Sequence, residues 1–250
     1  MTAPHSYYVS LTGLSLALRC KKVKWRREND VTAKRTRGER AGLTRDQILD
    51  AALDLVDREG VKALTMRRLG AALGVEAMTL YHHVPNKDAL LDGLVERVFG
   101  RALPVAAEDT GWRDWLRAYA GSLRTTLLRH PGVLPLAASR PAVTPATLDA
   151  VERGLGVLTG AGFPLGRAVH ALNTLSLLVI AHTAAEDTVG AVEGAGSAAW
   201  LRTLEAGRYP LVTEAARSGA GTDDGERFAF AVEALLAGFA ATAAPASPHG

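Results

Sequence analysis

Cysteine is almost missing from this chain. Cys20 is the single thiol in 250 residues, which excludes an internal disulfide and every multi-cysteine metal site. It lies outside any recognisable fold element and reads as an incidental thiol rather than a nucleophile. Lysine is also scarce, six residues against 23 arginines, a bias that points to a GC-rich genome and not to a chemistry. There is no Gly-x-Ser-x-Gly elbow, no phosphate-cradling glycine loop, no His-Glu-x-x-His pair and no spaced carboxylate pair in a plausible cleft, so no enzyme is expected. Nothing repeats internally. What remains has the composition of a soluble globular protein, 48% hydrophobic and 22% charged, long enough for one large domain or two small ones.

Charge is unevenly placed. Residues 1–43 hold ten Lys/Arg against Glu28, Asp30 and Glu39, a local balance of +7, so the other 207 residues sum to −4 within a total of +3. Such a leader either draws in phosphate or is merely a solvated tail, and the sequence leaves both open. The apolar run at 9–18 is far short of the ~20 residues that span a bilayer. No basic residue precedes it, and Arg19 stands before Cys20 where a lipoprotein signal requires a small residue. Export and membrane insertion are therefore not expected, and the chain is placed in the cytoplasm, at the nucleoid. A further expectation is that translation starts at Val31 from a non-ATG codon; a native peptide from residues 1–30 would overturn it.

The organising stretch runs from Leu43 to Phe99. Thr44-Arg45-Asp46-Gln47 is a capping box, and Ile48, Leu49, Ala52, Leu53, Leu55 and Val56 repeat on one face of the helix it opens, up to Glu59-Gly60. Thr65 caps a second helix with Leu69 and Leu73 inward, and Gly74 provides the helix-ending turn with Val75 in the angle. A third short helix turns Leu80 and Val84 inward and Ala77, Met78, Thr79, His82 and His83 outward. Pro85 stops it, and Asn86 caps a fourth with Leu90, Leu91, Leu94, Val95 and Val98 as its stripe. Two short helices meeting at a glycine, the second small-headed and polar, form a helix-turn-helix able to enter a DNA major groove.

Thr65, Leu69, Leu73-Gly74-Val75, Thr79-Leu80-Tyr81-His82-His83-Val84 and Asn86-Lys87-Asp88-Ala89-Leu90-Leu91 resemble the DNA-binding head of the TetR family, and Leu-Tyr-x-His-Val-x-Asn-Lys is especially similar to its tetracycline-repressor branch. The likeness continues through His130-Pro131-Gly132, Ser139-Arg140-Pro141 and Ala161-Gly162-Phe163. It implies an all-α fold: a basic leader (1–42), a three-helix DNA-binding head (43–102), a helical ligand-binding and dimerisation body (103–243) and a disordered tail (244–250). The resemblance places a base-reading arginine at Arg67 and phosphate-positioning residues at Thr79, Tyr81, His83 and Lys87. Ala77 and Met78 stand where the tetracycline repressor has a polar reader and a proline, so its operator does not carry over. The adjacent His82-His83 pair is not expected to hold metal, because neighbouring helical residues point about 100° apart.

In the body, helices are expected over 112–129, 131–138, 147–161 (with Leu148, Val151, Leu155 and Leu158 inward), 164–186 and 227–241, separated by a linker at 103–111, a loop at 140–145 and glycine-rich loops at 190–196 and 219–225. The 164–186 helix is apolar all round and must be covered on every side. The last helix has two apolar faces, Val232/Leu235/Phe239 and Phe230/Ala234/Ala237/Ala241. The resemblance implies that these two helices build a dimer's four-helix interface. Trp112, Trp115, Phe163 and the long helix are expected to wall a ligand cavity, with Ser139, His170, Asn173 and His182 as its polar groups. Leu136 and Leu177 stand where the tetracycline repressor has its metal-chelating histidines, so neither a magnesium-bound drug nor any cofactor is expected. The resulting expectation is a homodimeric regulator that holds an inverted-repeat DNA operator and responds to a small lipophilic effector. The alternatives are a protein-gated regulator or activator and a helical binding protein without operator affinity.

Overall fold

The computed structural model describes residues 42–104, 110–140, 144–191 and 207–243. The leader with Cys20 and Val31, the tail, and most of the glycine-rich loop at 190–196 lie outside them. Every described element is helical: α1 Arg45–Glu59, α2 Met66–Leu73, α3 Ala77–Leu80, α4 Lys87–Ala102, α5 Trp112–Arg129, α6 Leu134–Ser139, α7 Pro145–Gly160, α8 Leu165–Ala191, α9 Pro210–Ser218 and α10 Asp224–Ala243. Single 3-10 turns at Val61–Ala63 and Pro131–Val133 precede α2 and α6.

Local chemistry sets the helix starts. Thr44 accepts from the Gln47 amide while the Gln47 side chain accepts from the Thr44 amide, so two of the donors that α1 cannot satisfy internally are paired. Thr65 caps α2 through the Arg68 amide, Asn86 caps α4 through the Ala89 amide, and Thr144 caps α7 with Pro145 behind it. Gly74 ends α2 in the left-handed region at φ 67°, which only glycine adopts without strain.

Buried side chains form one continuous apolar cluster from Ile48 in α1 to Leu236 in α10. In the head, α1 packs on α2 and α4, and Leu69, Leu80, Leu90 and Leu94 are fully buried. In the body, α8 is the central strut, contacting α5, α6, α7 and α10.

Several expectations shift. The expectations did not include α9, although Pro210 at its first turn, Leu211, Val212, Ala215 and Ala216 on one face and the left-handed Gly219 after it are helix signals; Leu211 is nonetheless 84% exposed. α7 begins two residues earlier than expected and buries Thr147, Ala150, Gly154 and Leu158, which turns Leu148 out to solvent. In α10 the buried line is Phe228, Val232 and Leu236, whereas Leu235 and Phe239 are only partly covered. In the head, Met66 is buried but Leu73 only partly so.

Candidate DNA-reading face and ligand-binding interior

The two reading helices are held together at closer range than Gly74 alone explains. A Cβ on Gly70 would stand 2.8 Å from the Val75 carbonyl oxygen and 3.2 Å from the Ala77 amide nitrogen, both backbone atoms. Gly70 therefore lets the turn pass over α2, and the Val75 amide donates to the Gly70 carbonyl at 2.9 Å. α3 is only four residues long, but His83 and Val84 both donate back to the Leu80 carbonyl, so the turn continues past its formal end. This fastens Leu80 and Val84 in the core and leaves Met78 (71% exposed), Tyr81 and His82 projecting outward. Thr79 and His83 are half-buried. Ala77 is a correction to the expected outward face, since it packs against the core beneath the turn.

Charge is sorted around this face. Arg68 pairs with Glu59, Arg45 with Glu96 at 3.0 Å, and Arg97 with Asp46 at 2.8 Å and Asp50 at 2.5 Å. Arg101 also reaches Asp50, at 2.7 Å, and Arg140 reaches Asp88, at 2.7 Å. Arg67 and Lys87 are exposed and take part in none of these pairs. Arg45, Arg68, Arg97, Arg101 and Arg140 are thus neutralised where they stand, while Arg67 and Lys87 remain available for phosphate and base edges. Lys87 opens α4, where free backbone amides also attract phosphate.

α4 is bolted to α1 by the Glu96, Arg97 and Arg101 pairs, and its opposite side rests on α5 and α7. Hydrogen bonding from Arg97, reinforced by the positive charge of Arg97 and Arg101, holds the Asp50 carboxyl below its usual range despite partial burial. A second bolt joins body to head. His130 Nδ1 lies 2.7 Å from Asp57, whose other oxygen accepts from the Gly132 amide at 3.2 Å. A Cβ on Gly132 would fall 2.4 Å from the Val56 carbonyl oxygen, so only glycine permits this approach. Sequence reasoning used His130-Pro131-Gly132 as a family signature and missed its role. Asp57 and His130 are 73 residues apart, and no local spacing announces them.

The expected ligand residues form several groups rather than one wall. Trp112 meets Phe163 edge to face, with centroids 4.9 Å apart. Trp115 stacks on Tyr119 at 5.6 Å and abuts Gly154. Tyr119, which sequence reasoning passed over as a polar group, lies 3.1 Å from the Ser176 hydroxyl, and burial pushes its phenol up to about 12. His182 sits edge-on to Phe228 at 5.3 Å, within a group where Glu186 pairs with Arg124 at 3.0 Å. Its Nδ1 is 2.7 Å from Glu186, but off the line of a hydrogen bond, and both ring nitrogens are buried without a hydrogen-bond partner. Asn173 is half-buried. Ser139 and His170, expected as polar groups of the cavity, are instead exposed to solvent, and the Ser139 hydroxyl donates to the Pro135 carbonyl one turn back. Among the described residues no group of three His, Cys, Asp or Glu side chains is placed to hold a metal.

A helix-turn-helix head whose unpaired cations flank a short protruding helix, mounted on an all-helical body, defines a DNA-binding transcriptional regulator. Residues 48–94 match the family of bacterial regulatory proteins named for TetR, and residues 103–243 match the tetracyclin repressor-like C-terminal domain. The chain belongs to the TetR family. It is 36% identical over 205 residues to an HTH-type transcriptional regulator of Saccharopolyspora erythraea, covering 80% of this chain and 86% of that protein. It is 31% identical over 221 residues to the HTH-type transcriptional repressor DrrR1 of Streptomyces coeruleorubidus, covering 84% and 82%. Among solved structures it resembles the TetR family protein ActR of Streptomyces coelicolor in complex with actinorhodin, with a TM-score of 0.68, 30% identity, and coverage of 81% of this chain and 99% of that one.

Proposed function

We propose that this protein is a homodimeric repressor that works in the cytoplasm, holds an inverted-repeat operator and releases it when a small lipophilic molecule enters the body. The observation that carries the reading is the division of its side chains. Arg67, Met78, Tyr81, His82 and Lys87 are exposed on the head. Trp115, Tyr119, Phe163 and the buried ring of His182 lie in the body's interior, with α4 fastened between the two. DrrR1 is a repressor by name, and ActR holds actinorhodin. Support for two copies comes from α8. It is apolar and long enough over Leu165–Asp187 to cross a membrane, yet only 39% of that window is buried within its own chain. In α10, Phe230 is 76% exposed beside the small residues Ala234 and Ala237. Two such helices from each of two copies would cover one another, and the two heads would then meet half-sites about 34–36 Å apart.

The test is a gel shift with the DNA upstream of the protein's own gene, repeated with actinorhodin and with tetracycline–magnesium. A shifted band that actinorhodin dissolves and tetracycline–magnesium does not is the expected result. Absence of any sequence-specific shift would remove the operator-binding reading, leaving a helical binding protein.

A further inference from the structure

Between head and body lies a cleft of about 440 Å³ that the proposed repressor function does not use. It is lined by Arg101 at the end of α4, by Ser122, Thr125, Thr126 and Arg129 along the last two turns of α5, and by His130. Ser122, Thr125 or Thr126, and Arg129 recur at i, i+3 or i+4, and i+7, so one face of α5 presents hydroxyls and a guanidinium together. No carboxylate lines the cleft. The acidic groups nearby are set behind it and engaged: Asp50 by Arg97 and Arg101, Asp57 by His130 Nδ1 and the Gly132 amide. The C-terminal end of α5 opposes an anion, and the His130 amide offsets part of that by capping the Thr126 and Leu127 carbonyls, so the two arginines must supply the balance.

The donors fall into two sets. Arg129 takes part in none of the ion pairs of this region, and the Ser122 and Thr125 hydroxyls are likewise uncommitted. Arg101 is held by Asp50 at 2.7 Å and lies 3.3 Å from His130 Nε2. The Thr126 hydroxyl donates to the Ser122 carbonyl at 2.8 Å and so serves only as floor. Two arginines and two hydroxyl side chains lining one space suit a tetrahedral oxyanion, which offers several acceptor oxygens at once. The volume is far larger than a phosphate ion and falls in the range of small-molecule sites.

We propose that this cleft is a second small-molecule site, taking a phosphate monoester with a sugar- or nucleoside-sized body. The phosphate lies between Arg129 and Arg101 with the Ser122 and Thr125 hydroxyls on its flank. An occupant competes with Asp50 for Arg101, and so loosens one of the ion pairs that fasten α4 to α1. The site is separate from the aromatic interior and does not depend on what that interior binds.

Isothermal titration of the full-length protein without DNA tests it, using glucose 6-phosphate and AMP, with glucose and adenosine as uncharged counterparts and inorganic phosphate as the bare anion. The expected result is one site per chain for at least one ester, no binding of its uncharged counterpart, and weaker binding of inorganic phosphate. Arg129→Ala, at an exposed position, should weaken the ester at least tenfold, and Thr125→Val severalfold. Asp50→Asn, which frees Arg101, should tighten it. Arg67→Ala separates this cleft from the DNA-reading face. Failure of both esters to bind at millimolar concentration overturns the proposal, as does equal affinity in Arg129→Ala, or a loss of binding in Arg67→Ala that Arg129→Ala does not share.

Discussion

Two glycines of similar appearance in the sequence do opposite work, and the difference lies in what surrounds their missing Cβ. Gly70→Ala would press a methyl into the Val75 carbonyl and the Ala77 amide, backbone atoms that cannot rotate away. The turn would have to open, at about 1–3 kcal/mol of head stability, and α3 would tilt away from its reading position. Gly156→Ala, on the open side of α7 with nothing within 4 Å, should instead stabilise by about 0.5–1 kcal/mol by restricting the unfolded chain. Thermal melts of the two variants should move in opposite directions. At the DNA face, Arg67→Ala should lower operator affinity by about 1–3 kcal/mol and relax base preference at one position per half-site. Lys87→Ala should weaken all sequences alike and flatten the salt dependence by about one counterion for each phosphate no longer neutralised. An unchanged preference profile in Arg67→Ala would remove it from the readers.

Among the elements, α4 and α10 carry the tests. The Asp50 carboxyl is held below its usual range by Arg97, so its contribution to the α1–α4 junction is complete above pH 3.8, the ordinary value, and is lost as pH falls through the lowered one. Asp50→Asn should therefore flatten the acid limb of the stability–pH curve and leave its neutral-to-alkaline limb unaltered in shape, as followed by denaturation midpoints from about pH 2 to 8. For α10, the proposed two-fold interface is best probed at Phe230, because Leu235 also packs against the chain's own core. A carboxylate at an exposed site does not disturb a single folded chain, but it would be buried without a partner between two. Phe230→Glu should give a folded monomer that no longer binds operator. Light scattering that finds the unmutated protein monomeric at micromolar concentration would end the dimer proposal.

For the whole molecule, the proposed induction requires a differential effect of ligand on two arrangements of the proposed dimer's heads. α4 is attached to α1 by three sets of ion pairs and touches α5 and α7, and the His130–Asp57 bond ties the body's corner to the same helix. A push from within the body therefore reaches both ends of α1 without passing through a base contact. A release of about 100-fold corresponds to about 2.7 kcal/mol of coupling, and operator must weaken ligand by the same factor. Paired titrations with and without operator measure this, and equal ligand affinity in both would sink the lever. Asn173→Ala should change ligand response with DNA affinity intact. Trp115, 4% exposed and stacked on Tyr119, is a poor probe of the same point, since its removal would damage the body's core.

The family was legible in the sequence through the likeness of its motifs, and the sequence alone was also sufficient for the helices and caps of the head and for its inward Leu80 and Val84. Those properties rest on interactions within four residues, namely capping bonds, helical periodicity and the left-handed turn at Gly74, which a linear pattern records directly. It was also sufficient to mark α8 as needing cover, because an apolar surface on every side has no other solution. It could not show that Gly70 and Gly132 are close-approach points, that Asp57 grips His130, or that His170 faces solvent while Tyr119 does not. Nor does anything in the linear order bring Arg101 and the 122–130 stretch around one cleft. Each of these is decided by which helices cross and at what distance, and that depends on packing the whole apolar cluster at once.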